Sequence, residues 1–266
     1  MEDAEFEVTS SGINGSLIYN VVSDVLAFLL YMHQQIPSIL QDMTLEFDVL
    51  QTEHKELVRI IAQGEVSASS RRKHFVRKRE VKLAIRRVDK LMNTISDLQT
   101  AFQLIITEVP IIEEVILILG ASPRRPQHVY EMYFSWGRMV PETSKELTKS
   151  RTTELLSRKV IRALISKGVG SSSYTGPYKL FLLVKAPVSF SMPLHFLPKR
   201  DLRYNKKIAP LRLRFKYGGC CQESYTSHCD SQIAISKLAA TSEDLTWFQC
   251  RHVIKGLALK NQSPAE

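Results

Sequence analysis

Three cysteines and one histidine form the densest group of metal-ligating residue types in the sequence. Structural zinc sites pair ligands two to four residues apart, so that both thiolates reach one tetrahedral centre. Two of these cysteines are adjacent, which fits that geometry poorly, and the chain has no second Cys-x-x-Cys. We therefore expect ordinary loop thiols, with no metal and no cofactor, at Cys220, Cys221, His228 and Cys229.

The segment KGVGSSSYTG (167–176) has the composition of a phosphate-binding loop. It follows a predicted helix instead of opening one, so its amides lack the field of a helix N-terminus, and a flexible connector is expected. The sequence contains no GxxxxGK[ST], HExxH or GxSxG motif. Its seven histidines are scattered, with no sequence-adjacent pattern of acidic or nucleophilic partners. These observations favour a protein that is not an enzyme.

Residues 71–87 (RRKHFVRKREVKLAIRR) carry nine Lys/Arg and one acid, a net charge of +8 against +9 for the whole chain. Positive charge near a helix N-terminus opposes the helix dipole, so the run suggests a use outside the fold. Three interpretations are open: a nuclear-import signal, a solvated helix face or partner contact, and a nucleic-acid-binding site. Nucleic acid is the least favoured, because Phe75 is the only aromatic residue in the run. The import-signal candidates are Arg71, Arg72, Lys73, Arg77, Lys78 and Arg79.

Composition places the chain among folded intracellular proteins. Hydrophobic residues make up 44% and charged residues 24%, which argues against global disorder. The longest apolar runs fall short of the roughly 20 residues of a membrane span, so no membrane association is expected. The acidic N-terminus has no apolar signal core, and the four cysteines are expected to be reduced thiols.

Apolar periodicity predicts three main helices. The first begins at Ser16, its expected cap, and stops before Pro37, with apolar pairs every four residues. The second follows the basic run, where apolar residues step by three and four from Val81 to Ile105. The third runs from about Ser144 to Ser166. Its expected inner side is Leu147, Leu155, Leu156, Val160, Ala163 and Leu164.

The remaining patterns predict strands. LEFDVLQ (45–51) is predicted to be a strand, and VSASS (66–70) a linker. Residues 111–119 and 128–136 are predicted to form a hairpin, with Arg124 and Arg125 in its loop. LRLRFKY (211–217) alternates as a strand with one wet face. The expected fold class is α+β, with three main helices on an antiparallel β-sheet. One domain is expected at 16–258, between disordered tails at 1–15 and 259–266.

Several short segments resemble the comet protein family, whose members bind the Mad-two spindle checkpoint protein. They occur in the family's order over about residues 17–257. The segments are YMHQQIP (31–37), SSRRK (69–73), VILILG (115–120), VYEMYFS (129–135), HFLPKRDLRY (195–204) and SEDLTWFQCRHVIKGL (242–257).

The resemblance implies a HORMA-like fold with a C-terminal wrapping region and no enzymatic activity. It implies an adaptor that binds the closed conformer of a HORMA checkpoint protein. The adaptor presents that conformer to the pachytene checkpoint AAA+ ATPase for remodelling. This would silence the spindle assembly checkpoint in mitosis, or remodel chromosome-axis proteins in meiosis. The expected location is the nucleus, with the cytoplasm, kinetochore and spindle as further locations.

The resemblance also implies partner-binding residues on the first and third helices. Ile161 stands where the family has an anchoring phenylalanine, and Met32 stands where it has a glutamine, so both positions depart from the family pattern. Pro198 and Lys199 fall on the segment linked to ATPase docking. The implied partner contacts are Met32, Gln34, Gln35, Arg158, Ile161, Arg162 and Ile165.

Two other functions remain open at this point. A HORMA-type scaffold could close its own C-terminal segment, residues 186–256, around a peptide as a mobile belt. A nucleic-acid-binding protein could instead use the basic segment 71–87, and its affinity would weaken steeply with salt.

Overall fold

A computed structural model describes residues 3–8, 13–63, 67–109, 111–135, 151–171, 176–204, 208–217 and 244–257. Within these ranges the chain is mixed α+β, as predicted, with four helices and an eight-stranded sheet. The cysteine-rich segment around Cys220 to Cys229, the predicted helix start at 144–150 and the tail at 259–266 lie outside the described residues. The helices are α1 (Gly15–Met32), α2 (Leu40–Gln63), α3 (Ala68–Glu108) and α4 (Arg151–Ser166). The strands are β1 (Asp3–Val8), β2 (Glu114–Ser122), β3 (Arg125–Ser135), β4 (Lys179–Pro187), β5 (Phe196–Lys199), β6 (Leu211–Tyr217), β7 (Leu245–Cys250) and β8 (Ile254–Lys255).

The sheet has the strand order β1-β6-β3-β2-β4-β7-β5, and β8 pairs with β4. Its pairs are antiparallel except at one end, where β6 runs parallel to both β1 and β3. The prediction of an antiparallel sheet is therefore wrong for that end. The predicted hairpin is confirmed as β2 and β3, with Arg124 exposed in the turn.

The N-terminal residues correct the predicted 1–15 tail, because Asp3–Val8 form strand β1. Phe6 and Val8 are buried, and Phe6 stacks on Phe215 of β6 with ring centroids 5.3 Å apart. On the other face the acids of β1 meet bases of β6: Asp3 lies 3.3 Å from Arg214, and Glu5 lies 3.0 Å from Lys216. The acidic N-terminus thus matches a basic strand more than 200 residues away.

Helix α1 is the central helix of the main core. Its cap is Asn14, not Ser16 as predicted: the Asn14 side chain accepts a hydrogen bond of 2.9 Å from the Leu17 amide. By length and composition α1 could cross a membrane. In the fold, however, Val21, Val25 and Leu29 are fully buried, and the helix packs against α3 and α4. Its apolarity is accounted for by this core position.

Helices α2 and α3 are consecutive in the chain, connected by residues 64–66, and they pack against each other as a helical hairpin. LEFDVLQ (45–51) belongs to α2, so the strand prediction is wrong there, and the predicted linker residues 68–70 belong to α3. The apolar seam predicted for α3 is confirmed. Its buried residues are Val81, Val88, Leu91, Ile95, Leu98, Phe102 and Ile105. The helix is longer than predicted, because it includes the whole basic run.

The two faces of the sheet bury different clusters. One face packs on α1, α3 and α4. The other carries a smaller cluster, including Ile118 and Phe181, that is covered by the segment around Tyr204 and Ile208. Glu131 of β3 is buried on that second face. Its carboxylate accepts hydrogen bonds from Tyr133, Tyr204 and Arg212, so it fastens the covering segment to the sheet.

Candidate partner-binding surface

The inner face of helix α4 belongs to the main core and packs on α1 and β1. The residues of that face are Thr153, Leu156, Ser157, Val160 and Leu164, all buried. Of the predicted inner side of the third helix, Leu156, Val160 and Leu164 are confirmed, Ala163 is half-buried, and Leu147 lies outside the described residues. For Leu155 the prediction is wrong: it is 51% exposed, because the adjacent Leu156 occupies the inward position and neighbouring residues on a helix point about 100° apart.

The outer face of α4 is a stripe of two apolar and two basic side chains, which we call the α4 stripe. It consists of Leu155, Arg158, Arg162 and Ile165, all exposed and separated by three or four residues. Such spacing keeps side chains on one side of a helix over a length of about 15 Å. Ile165 is 54% exposed, so the stripe ends in a large apolar side chain open to solvent.

Two details distinguish the predicted contacts on α4. Arg158 forms an ion pair with Glu154 one turn earlier, at 2.6 Å, which holds the guanidinium along the helix. Both side chains are exposed, so the pair contributes only a few tenths of a kcal/mol, roughly. Ile161, the predicted anchor position, is half-buried at the margin of the stripe. The protruding apolar groups are therefore Leu155 and Ile165.

The end of α1 lies beside the end of α4. Met32 is half-buried and contacts Gly170 in the turn after α4; a Cβ atom at residue 170 would lie 2.7 Å from the Met32 Cε atom. Gly170 also has a φ of 87°, in the region that favours glycine. Met32 therefore lies beside the turn that follows the helix carrying Ile165; whether either residue contacts a partner stays a prediction. Gln34 is exposed nearby with a φ of 54°.

Gln35 is buried, so the prediction that it contacts a partner is wrong. Its side-chain nitrogen donates to the carbonyl oxygen of His33 at 2.6 Å, and its side-chain oxygen accepts from the Tyr178 amide. Its backbone carbonyl accepts from the Leu257 amide at 2.8 Å. Gln35 therefore anchors the C-terminal segment to the end of α1. The resemblance implied a partner contact at this position, and nothing local in the sequence distinguishes the internal role.

A histidine cluster lies next to the same turn. His33 is buried, its Nε2 lies 2.6 Å from the Tyr130 hydroxyl, and its ring centroid is 4.1 Å from that of His128. Burial and the neighbouring His128 lower the pKa of His33 to about 4, and burial lowers the pKa of His128. Both imidazoles are therefore neutral near pH 7. His33 and His128 are far apart in the sequence, and no local spacing indicates that they are in contact.

These histidines line a cavity of about 230 Å³. Its other walls come from the start of β3 and from the turn after α4, including Lys167 and Gly168. Among the residues that the structure describes, no group of three or more His, Cys, Asp or Glu side chains could hold a metal ion. Cys250 is buried, and burial raises the pKa of its thiol to about 11.

Pro198 and Lys199, the predicted ATPase-docking residues, are exposed on β5. Among the described strands, β5 is at an edge of the sheet and pairs with β7, with Pro198 opposite Phe248 and Lys199 opposite Trp247. A proline suits an edge strand, because it has no amide to donate to a neighbour. β5, β7 and β8 all lie in the segment considered as a mobile belt, and each is hydrogen-bonded into the sheet.

The six import-signal candidates lie near the N-terminus of α3, a helix that packs on α2. Five of them are exposed, and Lys78 is half-buried. Arg77 is held by Glu53 of α2 through two hydrogen bonds, at 2.6 and 3.1 Å. Whether this segment is an import signal stays a prediction.

Comparison of the sequence with protein-family models and with curated proteins found no match. No family assignment follows from these comparisons.

Proposed function

We propose that this protein is a non-enzymatic adaptor with a HORMA-like fold, similar to the comet family. It binds the closed conformer of a Mad-two-type checkpoint protein and presents it to the pachytene checkpoint AAA+ ATPase for remodelling. The proposal comprises checkpoint silencing in mitosis, axis-protein remodelling in meiosis, and a nuclear location. The α+β architecture, with helices on one face of the sheet, is compatible with this fold.

The observation that carries the proposal is the α4 stripe. Leu155 and Ile165 are large apolar side chains exposed on a helix whose opposite face is fully buried. Arg158 and Arg162 lie between them. Arginine is enriched among the residues that dominate binding energy in protein interfaces, and the fully buried centre of such an interface is more apolar than the rest of the surface. A surface of this kind supports recognition of a protein and requires no catalytic group.

Such an adaptor acts by conformational selection. A binder with higher affinity for one of two partner conformers increases the population of that conformer. A tenfold preference corresponds to about 1.4 kcal/mol, which the burial of one exposed isoleucine side chain can provide. The work of unfolding would come from ATP hydrolysis by the motor, and this chain would supply the selectivity.

Ile165→Arg tests the recognition step. We expect the amount of closed checkpoint protein pulled down by the variant to fall at least tenfold, because arginine cannot fill an apolar pocket. Residue 165 is exposed, so the fold should be retained. Val49→Arg is the matched control: Val49 is 66% exposed on α2, away from the stripe, and should leave binding unchanged. Undiminished binding by Ile165→Arg would exclude the α4 stripe as the partner surface.

Lys199→Glu tests the docking of the ATPase. The variant should still bind the checkpoint protein, because β5 and α4 are separate elements of the fold. It should fail to co-purify with the AAA+ ring. Arg203→Glu is the control, since Arg203 is likewise exposed and basic and lies four residues further along the chain. Retention of the ring by Lys199→Glu would show that Lys199 takes no part in docking.

A further inference from the structure

The distal part of the α2–α3 hairpin lies away from both hydrophobic clusters. We call it the arm and define it as residues 51–63 and 67–87. Its buried apolar residues are Leu57 of α2 and Val81 of α3, and neither belongs to the cores of the sheet. The arm is therefore a two-helix extension of the domain, and it contains the whole basic run.

One row of arginines on the arm faces directly away from α2. Arg72, Arg79 and Arg86 are exposed and are separated by seven residues, which places them about 10.5 Å apart on one line along α3. Residues nine apart on a helix lie on opposite sides, so Arg72 points away from the buried Val81. None of the three forms an ion pair with a residue that the structure describes.

No contact among the described residues explains why arginines occupy this row. The first turn of α3 contains no acid to offset the cations near its N-terminus, which the helix dipole disfavours. Lys78, Lys82 and Arg86 are also spaced by four residues, and such like-charge pairs destabilise a helix by a few tenths of a kcal/mol each, roughly. Arg77 does serve the fold, through its contact with Glu53. Of the three outward arginines, Arg86 belongs to this like-charge series, and none of the three gains an ion pair with a described residue in return.

We propose that the arm binds the phosphate backbone of double-stranded nucleic acid through Arg72, Arg79 and Arg86. Guanidinium groups pair with phosphate oxygens through two parallel hydrogen bonds. A straight row about 21 Å long can meet several phosphates along one duplex. Contacts with phosphates carry no base information, so the binding is independent of sequence.

The placement of apolar residues favours a duplex over a lipid surface. Phe75, Val76 and Leu83 are exposed on the same side of α3 as the arginine row, each three or four residues from its members. A helix that inserts in a membrane interface needs a continuous apolar face, with cations at the margins. On the arm the arginines interrupt the apolar residues, so this side of α3 has no continuous apolar face. Single strands bind through stacking on aromatic rings, and Phe75 is the only aromatic side chain in the basic run.

Fluorescence anisotropy with the full-length protein and a labelled 20-base-pair DNA duplex of arbitrary sequence tests the proposal. We expect micromolar binding at 50 mM salt and a steep loss of affinity by 200 mM. The triple variant Arg72→Gln, Arg79→Gln, Arg86→Gln should bind at least tenfold more weakly at 50 mM salt. The slope of log affinity against log salt should fall by about 2.7, which is three phosphate contacts at 0.9 each.

The matched control removes the same charge elsewhere: Arg124→Gln, Arg203→Gln, Lys255→Gln, all at exposed positions. It should bind the duplex as the unsubstituted protein does. An equal loss in this control would overturn the proposal, since net charge would then explain the binding. Salt-insensitive binding, absent binding, tighter binding to a single strand, or preferential binding to phosphatidylserine vesicles would each overturn it as well. Unchanged thermal unfolding of both triple variants verifies that the fold is intact.

Discussion

Gly256 lies directly against the side chain of Gln35, so close that a Cβ atom at residue 256 would overlap the Gln35 side-chain oxygen. The Gly256 amide donates to the Tyr178 carbonyl at 2.9 Å, while Gln35 accepts from the Tyr178 amide. Three segments distant in sequence therefore meet at one buried amide side chain. The contact fixes how the C-terminal segment closes on α1.

A double-mutant cycle measures this contact. Gly256→Ala should destabilise the protein by about 1–3 kcal/mol, because the new methyl group forces Gln35 from its hydrogen bonds. Gln35→Ala should cost a similar amount by leaving the Tyr178 amide buried without its acceptor. In the double variant the steric overlap is absent, so the two losses should not add. Urea unfolding provides the four free energies. Additive losses would show that the two residues do not act on each other.

His33 should make stability depend on pH. The pKa of this imidazole is about 4 in the folded protein, against an ordinary value of 6.5, so the unfolded chain binds more protons between these values. The free energy of unfolding should therefore be highest above pH 6.5 and fall as pH drops from about 6.5 to about 4. The loss is on the order of 3 kcal/mol. Burial lowers the pKa of His128, which acts in the same direction.

Chemical denaturation of His33→Gln at several pH values checks this. Glutamine does not titrate, so the dependence on pH in this window should become shallower, although the variant is less stable at pH 7 through the lost contact with Tyr130. If His33→Gln retained the full pH dependence, the titrating group would be a different one.

Local periodicity predicted the elements whose partners lie close in sequence or whose apolar face is continuous. The seam of α3 is one example, since residues from Val81 to Ile105 keep one buried side over seven turns. LRLRFKY is another: Leu213 and Phe215 are buried, while Arg214 faces the other side of the sheet. The α+β class followed from these patterns.

The errors arose where the deciding contact is remote. The sequence predicts a tail where β1 lies, because the bases that pair with Asp3 and Glu5 are on β6, more than 200 residues away. The α2 segment LEFDVLQ alternates like a strand through Leu45, Phe47 and Val49. In the helix, however, Leu45 and Val49 face solvent, and the buried side is set by residues spaced by three and four. Gln35 was placed on the surface, because its internal partners come from residues 176–178 and 257.

Glu131 should be a major stabilising residue of the second sheet face. Its side chain is 6% exposed and accepts hydrogen bonds from Tyr133 and Arg212 at 2.8 Å, and from Tyr204. Glu131→Gln removes the charge that pairs with Arg212 and should cost about 1–3 kcal/mol. Tyr204→Phe removes one hydrogen bond and should cost about 1 kcal/mol.

Thermal or urea unfolding measures both changes. Tyr31→Phe is the control for the second substitution, because Tyr31 is 43% exposed at the end of α1 and should be neutral. Equal stability of Glu131→Gln and the unsubstituted protein would mean that the network contributes nothing to folding.

The arm should open independently of the core, and hydrogen exchange can detect this. In residues 67–87 of α3 one apolar side chain, Val81, is buried. Seven residues are buried between 91 and 106. Opening free energies follow buried apolar contacts, so amides of the arm should exchange at lower free energy than those near Leu98.

Val81→Ala tests the independence of the arm directly. It removes part of the contact between α2 and α3 and should lower the opening free energy of arm amides by about 1–2 kcal/mol. Amides near Leu98 should keep their protection, because that part of α3 packs on α1 and the sheet instead of on Val81. Leu98→Ala is the matched substitution in the core and should lower protection throughout the helix. A uniform loss in Val81→Ala would mean that arm and core unfold as one cooperative unit.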